Sequence, residues 1–150
     1  MEAGPSDLAD EPSVEARAYA GWLDARAGRL AAGKAAITSS LDEAKRMRRS
    51  ALEARCRALL ANVLLLERRP ADARAAVEAV SMADLGPELQ ASLYDVRARA
   101  HLAVGDRESA QREITLRDQR VKELQQLVAN PDSLARRASI VALMSDYGVR

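Results

Sequence analysis

From Val14 onward, apolar and small positions recur three and four residues apart with charged positions between them, the pattern of helices that each bury one face. Ser13 precedes the first such run and is placed to cap a helix that starts with Val14 and Glu15, runs to about Ala27 and ends at Gly28. A second run leads from Leu30 through Ile37 and Leu41 to about Arg48, and Ser40 with Glu43 offers a capping box that would break it there. Leu52, Leu59, Leu60, Val63, Leu64 and Leu66 mark a third helix from about Ser50 to Glu67. Pro70 suits the first turn of a fourth, which would carry Ala73, Val77 and Val80 inward. Gly86 and Pro87 precede a fifth, from about Glu88 to Val104, and Gly105 stops it. Asp106 is placed to cap a sixth helix reaching Ala129, and after Asn130, Pro131 and Asp132 a last one runs from about Ser133 to Asp146.

Residues 1–12 carry four acids, two prolines and no apolar periodicity, so they read as a disordered acidic tail before a helical-hairpin domain over 13–150. Short turns between the helices make antiparallel neighbours the natural arrangement. The expected fold class is all-α, stacked antiparallel helical hairpins, with three pairs and a C-terminal capping helix.

Composition supports helix and thins the core. Of 150 residues, 31 are alanine, with no Phe, one Trp and three Tyr. Alanine has the best helix propensity and lets helices approach closely, whereas strand-favouring residues are scarce. Tracking small residues exposes a repeat. Gly21, Gly28, Gly33 and Ile37 are spaced by seven, five and four residues, as are Ala61, Arg68, Ala73 and Val77, and again Ala98, Gly105, Ala110 and Ile114. The first small site lets the two helices of a hairpin cross closely, the second lies in the turn, the third lets the return helix pack back, and the fourth plugs the interface.

This pattern, strongest in LERRPADARAAVEAV and LAVGDRESAQREI, resembles the tetratricopeptide repeat over about residues 14–129. The chain departs from that family in three ways. The equivalent turn sites are 40 and then 37 residues apart rather than the family's 34, the proline at the repeat end is displaced to Pro87, and the early aromatic of the first helix survives only as Tyr94. The resemblance implies a superhelix whose first helices line a concave groove for a polypeptide. Carried over by position, the groove takes Glu15, Tyr19, Trp22 and Arg26 from the first hairpin, Arg55, Asn62 and Leu65 from the second, and Asp95, Arg99 and Leu102 from the third. Asn62 follows the small site Ala61, where members that clamp a peptide carboxylate often place asparagine. Their lysine four residues earlier is Ala58 here, so the full clamp is absent.

Chemistry-bearing groups are few. Cys56 is the single cysteine and His101 the single histidine, which excludes a disulfide framework and a multi-cysteine zinc site and leaves one residue for any histidine-based dyad. Both read as packed structural residues. No phosphate loop, dinucleotide fingerprint or nucleophile elbow is present, so the chain is read as a non-enzyme without cofactor or metal. No stretch reaches the ~18 apolar residues of a membrane span and no signal peptide opens the chain, which makes the cytoplasm the expected location. Twenty arginines against three lysines, with so much alanine, hint at a GC-rich bacterial coding sequence.

Net charge is +1, so no field draws the whole molecule to nucleic acid. One local exception is KRMRRSALEARCR, residues 45–57, with six positive charges and one negative. It lacks aromatic residues for base stacking and reads as a solvated junction between hairpins. Ile114, Arg117, Val121, Leu124 and Val128 follow a heptad-like spacing that would serve either internal packing or a seam to a second copy.

The reading that results is an adaptor or scaffold whose groove takes a protein or peptide partner, an acidic one where the arginines stay free of Glu15 and Asp95. Two alternatives stand beside it, a homo-oligomeric structural subunit and a nucleic-acid-associated regulatory domain.

Overall fold

The computed structural model describes residues 13–129, and there the chain is all-α. Six helices follow one another: α1 (Val14–Arg26), α2 (Leu30–Arg46), α3 (Ser50–Leu66), α4 (Pro70–Glu78), α5 (Pro87–Ala103) and α6 (Arg107–Val128). The expected acidic tail and the last helix, over 133–146, lie outside the described residues. Consecutive helices pack as hairpins within two compact units that divide after Arg68, so the middle seven-five-four run, Ala61 to Val77, begins in one unit and ends in the other. Among the described residues no helix is long and apolar enough to cross a membrane.

In the first unit α1 starts where Ser13 accepts a hydrogen bond from the Ala16 N–H at 3.1 Å. Its buried positions Val14, Ala18, Gly21 and Ala25 step by four, three and four, which makes one stripe along the helix. That stripe meets α2 where two glycines let the backbones touch: a β-carbon at Gly21 would stand 2.8 Å from the Gly33 carbonyl oxygen, and one at Gly33 would come 2.8 Å from the Ala25 amide nitrogen. Ile37 is fully buried one turn further on and completes the first seven-five-four run.

α2 continues through Ser40 without a break. The Ser40 hydroxyl is buried and donates to the Ala36 carbonyl at 2.9 Å, so it satisfies itself inside the helix instead of capping a new one. The core of the unit is built from Val14, Ala18, Leu41, Ala44, Leu52 and Cys56 at one end and Ala25, Ile37 and Val63 at the other, with Leu59 and Leu60 of α3 packed against both. Burial within this core pushes the Cys56 thiol above its ordinary pKa, as expected of a cysteine that serves as a small apolar residue.

The turns repeat a single solution. After α1, Gly28 takes φ +94 and donates to Ala25, while Arg29 donates to Asp24; after α5, Gly105 takes φ +85 and donates to Leu102, while Asp106 donates to His101. These are left-handed helix ends whose two crossed bonds satisfy the last carbonyls. Arg48 (φ 53) and Arg68 (φ 58) hold the same left-handed position without glycine's freedom.

In the second unit Pro70 opens α4 as its first residue, and Ala73 and Val77 are fully buried. The expectation for Val80 fails, because α4 ends at Glu78 and leaves Val80 half-buried in the loop that follows. Arg97 of α5 replaces the missing turn. Its guanidinium donates to the carbonyls of Val77 at 2.7 Å and Val80 at 3.0 Å. Gln90 similarly donates to Met82 at 2.7 Å and Leu85 at 3.0 Å.

α5 and α6 form the closing hairpin, with Ala98 and Ala110 both buried and Asp106 accepting from the Ser109 N–H at 3.0 Å to cap α6. Of the heptad-like set on α6, Val121 and Leu124 are buried, and Arg117 bonds Asp95 of α5 at 2.9 Å. Arg117 therefore belongs to the α5–α6 hairpin and does not interrupt an apolar seam.

Candidate partner-binding face

Seven of the ten residues carried over to the groove stand in the first unit, on α1 and α3, and an ion pair joins these two helices. Arg55 Nε lies 3.1 Å from Glu15 Oε1, which joins positions 40 residues apart, the same interval that separates Gly21 from Ala61. Trp22 is half-buried against the cluster of Ala25, Ile37 and Val63, so its ring lies between the core and the surface of α1. The Arg26 guanidinium sits over that ring, 5.9 Å from its centroid, within the range of a cation–π contact.

Tyr19 and Leu23 complete this part of the surface. They are 55% and 47% exposed, on the side of α1 turned away from the Gly21 stripe, and with Arg26 they follow the i, i+4, i+7 spacing of one helix face. Leu66 of α3, 40 residues after Arg26, is 47% exposed as well. Leu23 and Leu66 were absent from the family-derived set. A search for large apolar residues off the buried stripe would have found Leu23, but Leu66 fits the apolar period of α3 as well as any core leucine.

The arginines behave differently from one another. Arg55 is engaged with Glu15, and Arg99 of the second unit is engaged with Asp95 at 3.0 Å along its own helix. Asp95 is shared, since Arg117 reaches its other oxygen at 2.9 Å. Arg26 makes no ion pair among the described residues. Glu15 and Asp95 thus supply internal partners for Arg55 and Arg99, as their positions in the sequence allowed.

Asn62 is half-buried and its side-chain amide donates to the Ala58 carbonyl of its own helix at 3.0 Å, so its donor is turned back along α3. Leu65 is half-buried on α3. Leu102 is 50% exposed on α5, one helical turn beyond Arg99.

The basic segment resolves into two parts. Arg55 and Arg57 pair with Glu15 and Glu53, both near 3.1 Å, whereas Lys45, Arg46, Arg48 and Arg49 are all exposed and make no ion pair among the described residues. His101 is half-buried, with Nδ1 at 3.6 Å from Asp106 Oδ2, longer than a hydrogen bond. Among the described residues no group of three or more His, Cys, Asp or Glu is placed to hold a metal ion.

No family model matches the chain, and neither a curated protein nor a solved structure is similar to it.

Proposed function

We propose that the chain is a non-enzymatic interaction module, a tetratricopeptide-like adaptor of helical hairpins, that binds a polypeptide through the α1–α3 face of its first unit. One observation carries this reading: Tyr19 and Leu23 stand exposed beside an arginine stacked on a tryptophan, on a helix whose opposite side is fixed by backbone contact with α2. Exposed apolar side chains scattered singly are ordinary, but aromatic residues and arginine placed together are the types that most often dominate interface energy. A rigid helix also presents them with little ordering cost on binding. Arg26 then selects the partner's charge. Exposed, without an ion pair among the described residues and 5.9 Å from the Trp22 ring centroid, it is the cation of this face best placed for charge-assisted bonds to a carboxylate.

The partner that fits is a segment with an apolar side chain for Tyr19 and Leu23 and an acidic group for Arg26. A displayed library of random 12-residue peptides, selected against the parent protein and counter-selected against Tyr19→Ala/Leu23→Ala/Arg26→Glu, tests the reading. The expected outcome is enrichment of peptides that combine apolar residues with Asp or Glu. Their affinity should fall at least about tenfold for the variant, a loss of about 1.4 kcal/mol. Helicity and melting temperature should be unchanged, because the substituted side chains are exposed or half-exposed. Peptides that bind parent and variant equally, or binders of the variant alone, overturn it.

A further inference from the structure

At the junction of α2 and α3 the chain concentrates charge without neutralising it. Arg48 in its left-handed conformation donates to the Lys45 carbonyl at 3.1 Å and Arg49 to the Ala44 carbonyl at 3.2 Å, so the turn is tight and spreads the side chains of Lys45, Arg46, Arg48 and Arg49 around one corner. The acids around it are engaged elsewhere: Glu43 with Arg17, Glu15 with Arg55, and Glu53 with Arg57. Only Asp42 remains without an ion pair among the described residues, against four cations that have none. Elsewhere in the described residues most arginines have a carboxylate or carbonyl partner, which makes this corner an exception in need of one.

The chain itself carries the complement. Residues 1–12 hold Glu2, Asp7, Asp10 and Glu11 and no Lys or Arg, four acids for four bases. They lead into α1 at Ser13, and Ser13 lines the same surface concavity as Met47 and Arg49 of the basic turn. Asp10 is three residues from Ser13, a span of up to about 10 Å, and Asp7 six residues, up to about 20 Å, lengths on the scale of the concavity that Ser13 and Arg49 line together.

We propose that the Lys45–Arg49 turn is a docking surface for an acidic peptide and that its resident occupant is the chain's own segment 1–12. A tethered segment competes at an effective concentration near the millimolar range, so even weak pairwise attractions hold it there against free ligands. The turn offers no aromatic platform for nucleic-acid bases, and a single exposed Met47 is a thin anchor for a lipid surface. An external acidic peptide would compete with the segment for the same four cations.

Zero-length carbodiimide coupling of the full chain, followed by trypsin and mass spectrometry, tests the pairing directly. Lys45 is one of three lysines, and Lys34, 2.9 Å from Glu67, serves as the internal control for coupling. The expected product is an intrachain link from Lys45 to Asp7, Asp10 or Glu11, lost at about 1 M salt, where the Debye length falls to about 3 Å. It should also be absent in Asp7→Asn/Asp10→Asn/Glu11→Gln. That variant should bind labelled poly-glutamate at least about tenfold more tightly than the parent, and adding Arg46→Ala/Arg48→Ala/Arg49→Ala should abolish the gain. A Lys34–Glu67 link without any link from Lys45 to the segment overturns the proposal, as does equal affinity of parent and variant for poly-glutamate. So does binding of a single-stranded oligonucleotide or phosphatidylserine vesicles through the turn that is indifferent to the three neutralised acids.

Discussion

Gly21 and Gly33 meet backbone to backbone where α1 crosses α2, so closely that a β-carbon on either would run into the other's carbonyl oxygen. Side chains normally set the distance between packed helices, about 8–10 Å between axes; here main chain meets main chain, with Ala25, Ala36 and Ile37 closing around the contact. The approach fixes α1 against α2, and with it the side of α1 that carries Tyr19, Leu23 and Arg26.

Replacing either glycine therefore acts against helix propensity. Gly33→Ala gains about 1 kcal/mol of propensity in isolation, yet the added carbon must displace the Gly21 carbonyl and the Ala25 backbone, and the net expected loss is about 1–3 kcal/mol. Gly86→Ala is the clash-free control: nothing lies within 4 Å of the added carbon and φ is −66, so its loss should be limited to the N-cap preference for glycine over alanine, under about 1 kcal/mol. Thermal and urea unfolding of the two variants, side by side, gives the comparison. Equal stability would mean that α1 and α2 stand further apart than described.

Two turns invite the opposite change. Arg48 and Arg68 occupy left-handed conformations that cost a non-glycine residue roughly 1–2 kcal/mol, of which glycine's greater unfolded freedom returns roughly half. Arg48→Gly and Arg68→Gly should each raise stability by up to about 1 kcal/mol, read as an increase in melting temperature, whereas Gly28→Ala (φ +94) should lower it by a similar amount.

Arg97 is charged with satisfying the end of α4. Removing its guanidinium in Arg97→Met leaves the carbonyls of Val77 and Val80 without their side-chain donor, with an expected loss of about 1–3 kcal/mol. Arg97→Lys should recover only part, because one ammonium cannot match the planar fork that reaches several carbonyls at once. Amide hydrogen exchange should localise the damage to α4 and the loop from 79 to 86.

A pH effect follows from the cap of α6. The side-chain and backbone bonds from Ser109 hold the Asp106 carboxyl below its ordinary value of 3.8, so its contribution to stability is fully present above that value and is lost as pH falls through the lowered one. Asp106→Ala should melt below the parent at neutral pH, and the difference between them should shrink once the pH is well under 3.8. A difference that persists unchanged in acid would place the cap's contribution elsewhere than in the ionised carboxylate.

How much of this was legible in the sequence depends on the range over which each feature is decided. The helices, their caps at Ser13 and Asp106, the proline start of α4 and the stop at Gly105 were all readable, because propensity, capping and turn geometry act within a few neighbouring residues. Two of the seven-five-four runs, Gly21 to Ile37 and Ala98 to Ile114, fall on helix pairs that pack, α1 with α2 and α5 with α6, whereas the run from Ala61 to Val77 is divided between the two units. Position 68 shows that arginine will serve where glycine is expected. The tertiary structure decided matters between residues far apart in the chain. Glu15 reaches Arg55, Asp95 reaches both Arg99 and Arg117, and Arg97 donates to the carbonyls of Val77 and Val80 where α4 ends. Charge and hydrogen-bond pairing depend on distances across the packed helices; the spacing of small residues marks where α1 crosses α2 at Gly21 and Gly33, but not which charged side chains on the other faces come within reach of one another.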